Sequence, residues 1–589
     1  MGTIVFDTEI APNMFLFMGK VLESGEYFGI WGDQEDARET LKELFKSKNT
    51  FVSFNGLKFD MPVIAYFMSG KSEFEVKKLG DKIISENMMP WVAEKEFGFK
   101  MPMIDHIDLI EVAPSFVSLK TYGARMNMPL IQDLPFHHSE EIDVEDRPMV
   151  WDYCKNDLDT TESLYNVLQG QLQLRVEISR EYGFDARSKS DSQVAEQMFI
   201  KRLNLKRKKI EVPESIHYVK PDFINFKRDD LNALAKRMAD HIYEVKPSTG
   251  HVILPDFLKE DLVKINNGVY QMGVGGLHST HDKKVCYVTD DDYQIVDYDV
   301  ASYYPSILLN CNLIPVNTGP TFVDEYRKVF ERRLEGKRVK NMVIADSLRI
   351  ALNGTFGKTA NKYSLLYSPD VMINITLTGQ LTLLNLIETL EDNGIEVVSA
   401  NTDGIMLKHR RNAGSTVSKL ISDFSDLTGF IFEATPYRVV ALKDVNNYYA
   451  VKQDRSVKIK GIYSAPTLSK NPTAPVVSKA VGLWLAYGSP FSEVLKNSPI
   501  TDFITVRNVN KAGGGVQGDK FLGRTVRWYQ TKDQLPPITY KENGNKVAKS
   551  DGARACMEMP KGLPKDLDFS WYEKEILKVI KDIGASNFL

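Results

Sequence analysis

The sequence is poor in cysteine and lacks the patterns that cysteines form in metal-binding or secreted domains. Its cysteines are widely scattered and include no C-x-x-C pair, so neither a zinc site nor a disulfide framework is indicated: Cys154, Cys286, Cys311 and Cys556. We also find no secretory signal pattern at the N-terminus, no apolar run long enough for a bilayer and no internal repeat. We therefore expect a soluble protein of a reducing cytoplasm, and the length of 589 residues predicts several domains.

A strong charge of one sign is also missing. The formal net charge is −4, from 74 basic and 78 acidic residues, which alone argues against a nucleic-acid partner. Nucleic-acid binding depends on local patches, however, and residues 201–209 and 327–340 are locally basic. Each run is compatible with a solvated helix face or linker as well as with a binding patch.

Three segments of the first third place acidic side chains where they can converge. Asp7 and Glu9 follow a short β-rich run, and residues two apart on a strand face the same side. Residues 51–60 are typical of an apolar strand that ends in a polar loop. Tyr153 and Asp157 are four residues apart in a helical pattern and therefore share one face of the helix.

These segments contain D-x-E, N-x-x-x-F-D and Y-x-x-x-D in that order, and they resemble the three motifs of the DEDD exonuclease superfamily. Phosphodiester cleavage needs an activated water and a stabilised leaving oxygen, which two hard cations about 3.5–4 Å apart supply. Carboxylate oxygens are the ligands such cations prefer. The resemblance implies that Tyr153 orients the water and that Asn55 and Phe59 touch a frayed primer end. It also implies four metal ligands: Asp7, Glu9, Asp60 and Asp157.

Two further acids occur in the middle of the chain. An apolar strand leads to Asp299, and residues 299–306 resemble D-x-x-S-L-Y-P-S, motif A of family B DNA polymerases, with Tyr303 in the place of Leu. Residues 395–407 predict two short strands around a tight turn at Asp403 and Gly404. This turn resembles motif C, D-T-D, with Asn401 in the place of the first Asp.

Between these motifs, residues 349–357 resemble motif B, K-x-x-x-N-S-x-Y-G. Arg349 stands where Lys is usual, and it faces the same way as Asn353, one helical turn later. Gly357 is a candidate end for this helix. Just upstream, Arg333 and Lys337 have the R-x-x-x-K spacing of the finger helices in family B polymerases.

The resemblance to family B DNA polymerases implies template-directed DNA synthesis from a primer 3′-OH with dNTPs, together with 3′–5′ exonuclease proofreading. Asp299 and Asp403, with the Val300 carbonyl, are expected to hold two Mg²⁺ ions, for which Mn²⁺ can substitute, as at the exonuclease site. One ion lowers the pKa of the 3′-OH and the other binds the triphosphate. Tyr304 is expected to exclude a ribose 2′-OH. The expected triphosphate ligands are Arg333, Lys337 and Arg349, with Asn353 and Gly354 near the nascent base pair.

The last third holds weaker candidates for DNA contacts. Tyr448 lies in a segment that resembles the K-x-Y region of the family, with Asn446 at the Lys position, and Lys460 with Gly461 suits a phosphate contact. Arg524 and Arg527 are interleaved with aromatic residues, a pattern that suits phosphates and stacked bases but equally a buried strand.

We expect an α/β multidomain protein, with a ribonuclease H-like exonuclease domain followed by a right-hand polymerase of palm, fingers and thumb. The predicted boundaries are 1–190 for the exonuclease, 191–320 for a linker and first palm part, 321–365 for the fingers, 366–480 for the second palm part and 481–589 for the thumb.

The compact size resembles a phage or mobile-element enzyme, which would act in the host cytoplasm. Asp299 and Asn353 are 54 residues apart, and Asn353 and Asp403 a further 50, which leaves no room for the insertions of protein-primed relatives. We therefore expect a monomer that extends an ordinary 3′-OH on primer–template DNA with dNTPs. A helicase, a primase or a single-strand-binding protein is a further candidate partner.

Three other functions stay open from the sequence. The first is a 3′–5′ exonuclease whose C-terminal half binds DNA but is impaired in synthesis, which Arg349, Asn401 and Asn446 favour. The second is a non-catalytic replication scaffold. The third is an RNA-making, primase-like enzyme that uses rNTPs as well.

Overall fold

The computed structural model describes residues 2–273, 275–280 and 284–588 of a mixed α/β protein. The chain divides into two compact units, each assembled from separate segments. Unit 1 comprises Met1–Ser190, Pro466–Pro475 and Ser498–Phe569, and unit 2 comprises Asp191–Ala465, Val476–Asn497 and Ser570–Leu589. Residues 481–589, the predicted thumb, are therefore shared between the two units.

The strands, numbered along the chain, are as follows: β1 Thr3–Ala11, β2 Met14–Val21, β3 Tyr27–Trp31, β4 Thr50–Ser53, β5 Asp105–Asp108, β6 Ser215–His217, β7 Ile242–Glu244, β8 Leu262–Ile265, β9 Gly268–Gln271, β10 His278–Ser279, β11 Val285–Val288, β12 Tyr293–Val300, β13 Glu396–Asn401, β14 Gly404–Arg410, β15 Phe432–Asp444, β16 Asn447–Lys452, β17 Val457–Ile459, β18 Thr505–Asn508, β19 Gly515–Gln517, β20 Lys520–Gly523, β21 Thr525–Gln530, β22 Thr539–Tyr540 and β23 Ala553–Ala555.

The α-helices are as follows: α1 Ala37–Lys46, α2 Asp60–Met68, α3 Glu73–Ser85, α4 Pro90–Phe97, α5 Leu119–Arg125, α6 Arg147–Val167, α7 Gln169–Tyr182, α8 Asp191–Arg202, α9 Asp229–Asp240, α10 Asp256–Lys259, α11 Tyr303–Asn310, α12 Phe322–Arg338, α13 Met342–Thr359, α14 Pro369–Asp392, α15 Gly414–Thr428, α16 Pro475–Tyr487, α17 Phe491–Lys496 and α18 Phe569–Asp582.

Unit 1 contains a five-stranded sheet in the order β3-β2-β1-β4-β5. Strands β1, β2 and β3 are antiparallel neighbours, whereas β4 and β5 run parallel to β1. Apolar residues fill both faces of β1, with Phe6 in one buried cluster and Val5 in another. This two-sided burial fixes the central strand, whose C-terminal half carries Asp7 and Glu9.

Unit 2 is organised around a large sheet in the order β17-β16-β15-β12-β14-β13-β10-β9-β8, and β11 pairs with β15. Strand β12 lies in its middle and is antiparallel to both β14 and β15. Helices α8, α12 and α13 pack on one another, with Phe199 of α8 against Phe322 and Tyr326 of α12.

Two sequence-based expectations are wrong: that Gly357 ends a helix, and that the chain has no apolar run long enough for a bilayer. Helix α13 runs through Gly357 to Thr359, because a glycine with open space around it is tolerated inside a helix at modest cost. Helix α14 is long and apolar enough to span a bilayer by length and composition, with mean hydropathy 1.2, although 94% of that stretch is buried inside the protein. Its apolar character is therefore accounted for by packing in the core of unit 2.

Candidate active sites

Strand β1 and helices α2 and α6 bring four predicted acids into one cluster, the first acidic site, made of Asp7, Glu9, Asp60 and Asp157. Asp7 and Glu9 alternate along β1 and share a face. Asp60 is the first residue of α2 and Asp157 lies in the middle of α6, and both are buried. The charges of Asp60 on α2 and Asp157 on α6 contribute to the raised pKa values of Asp7 and Glu9 on β1.

Burial and mutual repulsion make these acids hard to ionise without a cation. Burial is the main cause for each, followed for Asp7 by the charge of Asp60 and for Glu9 by that of Asp157. The pKa of Asp7 is raised well above its ordinary value, that of Glu9 to about 8 and that of Asp60 to about 6. Such a set of oxygen donors fits hard divalent cations, whose charge would offset the repulsion.

Lys120 and Tyr153 complete the first acidic site. The Lys120 ammonium donates to Asp157, and it also lies 4.1 Å from the centre of the Tyr153 ring. Burial and the charges of Asp157, Glu9 and Asp7 raise the pKa of Tyr153, which keeps its hydroxyl protonated. Lys120 is the cation that lowers the pKa values of Asp7, Glu9 and Asp157.

The loop that leads to Asp60 is held by polar contacts that the sequence did not suggest. The Asp108 carboxylate accepts hydrogen bonds from the backbone N–H of Asn55, at 2.7 Å, and of Leu57, at 2.9 Å. Asn55 has a positive φ of 67°, which asparagine tolerates better than most residues. Thr8 donates from its N–H, at 3.1 Å, and from its hydroxyl to Asp60. Phe59, the second predicted contact to the primer end, packs partly against the core of unit 1.

Asp299 and Asp403 meet at the end of a β-hairpin in unit 2, and with Asp297 we call them the second acidic site. Strand β12 carries Asp299, which pairs with Gly404 at the start of β14. Asp403 lies in the turn before Gly404 and its carbonyl accepts from the Val300 N–H at 2.7 Å. A Cβ on Gly404 would lie 2.2 Å from the Asp299 carboxylate, so glycine is required for this approach. The three acids line a cavity of about 450 Å³.

Asp297 and Lys458 form an ion pair beside Asp299 that the sequence analysis missed. Asp297 is two residues before Asp299 and faces the same side of β12. Its carboxylate accepts from the Lys458 ammonium at 3.1 Å and from the Tyr437 hydroxyl at 3.2 Å, and the same ammonium lies 3.9 Å from Asp299. Burial and then Asp297 raise the pKa of Asp299 to about 6, whereas Lys458 lowers it.

Basic side chains of α12 and α13 lie close to the second acidic site. Arg333 is buried and donates to the Ser302 hydroxyl. Burial and the neighbouring Arg349 lower the pKa of Arg333. Lys337 lines the cavity and lies 4.0 Å from Glu433, and Arg349 is exposed, 3.6 Å from Asp346. The three predicted triphosphate ligands thus share one region of unit 2.

Tyr304 lies next to this region, at the second position of α11. Its ring centre is 4.6 Å from that of Phe356 on α13, so residues of the predicted motifs A and B are in contact. The charge of Asp403 contributes to the raised pKa of Tyr304, after burial. Val300 is buried at the end of β12, and Asn353 is exposed on α13.

The structure places Gly354 at a helix contact. A Cβ at this position would lie 2.8 Å from the Ala195 Cβ and 2.8 Å from the Asp191 carbonyl oxygen, both on α8. Gly354 therefore allows α8 and α13 to approach closely. Its position near a nascent base pair stays a prediction beside this structural role.

Two of the predicted DNA contacts, Tyr448 and Lys460, lie at the second acidic site. Tyr448 is largely buried but lines the cavity, and Lys460 is exposed and also lines it. The Asn401 amide donates to the Asn446 side chain at 3.3 Å, so the two asparagines that depart from the family pattern contact each other.

Arg524 and Arg527 have different environments in unit 1. Arg524 is exposed, and its N–H donates to Asp133 at 2.9 Å. Arg527 is fully buried and donates to backbone carbonyls of Cys556, Met128, Met557 and Pro129. The predicted DNA contact by Arg527 is wrong, because its buried guanidinium donates its hydrogen bonds to backbone carbonyls inside the fold.

Sequence signals for the missed residues were weak. Asp297 could have been found from the D-x-D spacing at 297–299, since both positions share a strand face. Lys120, Asp108 and Lys458 lie in short elements that match none of the motifs above. The acidic partners of the two lysines are 37 and 161 residues away in sequence. Only tertiary structure reveals those partners.

Comparisons with known proteins give partial matches. No family model matches the chain. A stretch of 150 residues, 25% of this chain, is 23% identical to DNA polymerase 1 of Saccharolobus solfataricus and spans 17% of the length of that protein. The solved structure of the family B DNA polymerase from the hyperthermophilic archaeon Pyrobaculum calidifontis aligns with 99% of this chain and 78% of its own, at 14% identity and a TM-score of 0.41. Both similar proteins are thus described as DNA polymerases.

Proposed function

We propose that this chain is a template-directed DNA polymerase of the family B type that extends a primer 3′-OH with dNTPs and proofreads with a 3′–5′ exonuclease. The observation that carries the proposal is the second acidic site. Asp299 and Asp403 come from separate sequence motifs and line one cavity together with Lys337. Clustered carboxylates next to basic side chains suit a reaction on a triphosphate.

The residues around the second acidic site have separate roles in this proposal. Asp299, Asp403 and the Val300 carbonyl would hold Mg²⁺, which supplies activation of the 3′-OH and charge neutralisation at the phosphates. Arg333, Lys337 and Arg349 bind the triphosphate. A further group orients the nucleotide and the primer: Tyr304 against the sugar, Asn353 near the base, and Tyr448 and Lys460 at the primer strand.

The first acidic site is proposed as the proofreading nuclease. Its four carboxylates would hold divalent cations, which activate a water for attack on the terminal phosphodiester. The Tyr153 hydroxyl is protonated and can donate to that water, and Lys120 balances the charge of Asp157. Asn55 and Phe59 are proposed to contact the frayed primer end.

We propose the domain assignments on the basis of this function. A mixed sheet in the order β3-β2-β1-β4-β5 with acids on the central strand is consistent with a ribonuclease H-like exonuclease at 1–190. The large antiparallel sheet suits the palm at 191–320 and 366–480, and helices α12 and α13 suit the fingers at 321–365. The thumb at 481–589 is less simple, since 498–569 belong to unit 1.

The proposed substrates, oligomeric state, location and partners also follow from the resemblance to family B DNA polymerases. The substrates are primer–template DNA and dNTPs, with no protein primer. We propose a compact, phage-type enzyme that acts as a monomer in the host cytoplasm. A helicase, primase or single-strand-binding protein would then be its replication partner.

The test is a hairpin DNA with a recessed, labelled 3′ end, incubated with the purified chain and Mg²⁺. We expect extension when dNTPs are present and shortening when they are absent. Asp403→Asn should lower extension by roughly 100- to 1,000-fold, the scale for loss of one group that stabilises transition-state charge. Absence of extension by the unaltered protein would refute the polymerase proposal.

The same assay separates the second candidate, an exonuclease with a synthesis-impaired half. The contact between Asn401 and Asn446 favours it, because both positions differ from the family pattern. This candidate predicts shortening of the hairpin whether or not dNTPs are present. Incorporation of rNTPs at a rate similar to that of dNTPs would instead indicate an RNA-making enzyme.

A further inference from the structure

Cys154 lies inside the first acidic site. It is three residues before Asp157 on α6, so the two side chains share a helix face. The sulfur belongs to a group with the carboxylates of Asp7 and Glu9 in which the ligand atoms all lie within 4.8 Å of one another. Cys154 is fully buried and forms no disulfide, and within residues 2–273, 275–280 and 284–588 its thiol has no hydrogen-bond partner.

These distances are close to what a single bound cation requires. Zinc bonds are about 2.0–2.2 Å to carboxylate oxygen and about 2.3 Å to sulfur, so two ligands of one ion lie at most about 4.5 Å apart. A group within 4.8 Å needs only small side-chain movements to reach that geometry. Asp7 and Glu9 are partly exposed, which gives an ion access from solvent.

The donor set is mixed, and this decides which ions it favours. Mg²⁺ binds oxygen ligands and gains little from sulfur. Thiolate sulfur selects softer cations, whereas borderline ions such as Zn²⁺ and Co²⁺ accept both carboxylate and thiolate. A thiol next to two carboxylates therefore adds affinity for borderline and soft ions without adding affinity for Mg²⁺.

We infer that Asp7, Glu9 and Cys154 form a thiolate-containing site for a borderline or soft divalent cation of the Zn²⁺ class. On binding, the S–H bond breaks, the proton passes to solvent and the sulfur electron pair forms the bond to the ion. The site shares Asp7 and Glu9 with the proposed nuclease centre, so the inference deepens the proposed function. Such an ion competes with Mg²⁺ there, because the two ions share the carboxylates of Asp7 and Glu9.

The test uses Co²⁺ as the probe, because a cobalt–thiolate bond gives a sulfur-to-cobalt charge-transfer band in the near ultraviolet. The full-length, metal-stripped protein is titrated with Co²⁺ in the absence of DNA and nucleotides. We expect the band in the unaltered protein, its loss in Cys154→Ser and its retention in the matched control Cys311→Ser. Excess Mg²⁺ should reduce the band, since the two ions share carboxylates.

Several results would overturn the inference. These are absence of the band in the unaltered protein, its persistence in Cys154→Ser, and a band that the combined Asp7→Asn and Glu9→Gln changes leave intact. If Cys154→Ser and Cys154→Ala both fail the circular-dichroism check for folding, competition by Mg²⁺ in the unaltered protein decides: reduction supports the site, and no change refutes it. Because no nucleic acid is present, failure of the proposed nuclease activity would not alter this outcome.

Discussion

At the scale of single residues, the pair formed by Asp297 and Lys458 sets the charge next to Asp299. The side chain of Asp297 is 8% exposed and that of Lys458 is 26% exposed, so solvent screens this pair only in part. A buried acceptor that loses its charged partner keeps the cost of its own desolvation. The pair is therefore expected to matter for the stability of unit 2 as well as for the candidate active site.

We predict that Lys458→Met destabilises the protein by about 1–3 kcal/mol, the usual cost of one buried polar group left without its partner. The double variant with Asp297→Asn should recover much of this loss, because both charges are then removed. Urea denaturation of both single variants and the double variant measures the coupling. Lys460→Met, an exposed neighbour, is the matched control and should stay within about 0.5 kcal/mol of the unaltered protein. Additive effects of the two single changes would contradict this account.

The acids of the first acidic site make a second prediction, on pH. A carboxylate with a raised pKa holds more protons in the folded than in the unfolded state, so stability falls as pH rises through the shifted interval. For Glu9 this interval runs from its ordinary value of 4.5 to about 8. The metal-free protein should therefore lose thermal stability between pH 6 and pH 8 through these groups, and Mg²⁺ should restore it at pH 8.

Asp7→Asn tests this directly, since it removes one ionisable group and leaves a side chain of the same size. In EDTA at pH 8, we expect the variant to melt about 2–4 °C higher than the unaltered protein, corresponding to roughly 1 kcal/mol. We also expect a smaller Mg²⁺-dependent increase. Differential scanning calorimetry at pH 6 and pH 8 provides both numbers, and a variant that melts lower under every condition would contradict the electrostatic explanation.

At the scale of secondary structure, helix α8 packs closely against α13 at Gly354. We predict that Gly354→Ala destabilises unit 2 by about 1–3 kcal/mol, because the new methyl group lies 2.8 Å from Ala195 and from the Asp191 carbonyl oxygen. Gly357→Ala on the same helix is the matched control: it meets open space and should stabilise by up to about 1 kcal/mol through helix propensity. Chemical denaturation measures both, and similar effects of the two changes would argue against the close approach of α8 and α13.

Local patterns predicted elements well where the sequence signal was itself local. The turn at Asp403 and Gly404, the strand before Asp299 and the helix with Tyr153 and Asp157 are all present. Contacts that join distant segments could not be predicted. Arg527 has basic and aromatic neighbours in sequence, but it is buried because carbonyls of Met128 and Pro129, some 399 residues away, accept its hydrogen bonds.

At the scale of the whole molecule, two acidic clusters lie in two different compact units. Each unit builds its cluster from its own sheet, β1 in unit 1 and β12 with β14 in unit 2. Chemistry at one site therefore does not need carboxylates of the other. We therefore expect the two proposed activities to be separable by single substitutions.

The most direct test of two independent active sites compares Asp7→Ala and Asp403→Ala on one primed DNA template with Mg²⁺ and dNTPs. We predict that Asp7→Ala keeps synthesis and loses primer trimming, and that Asp403→Ala keeps trimming and loses synthesis, each loss amounting to roughly 100-fold or more. If either change abolished both activities in a folded protein, or if neither change affected its own activity, the assignment of two independent sites would be contradicted.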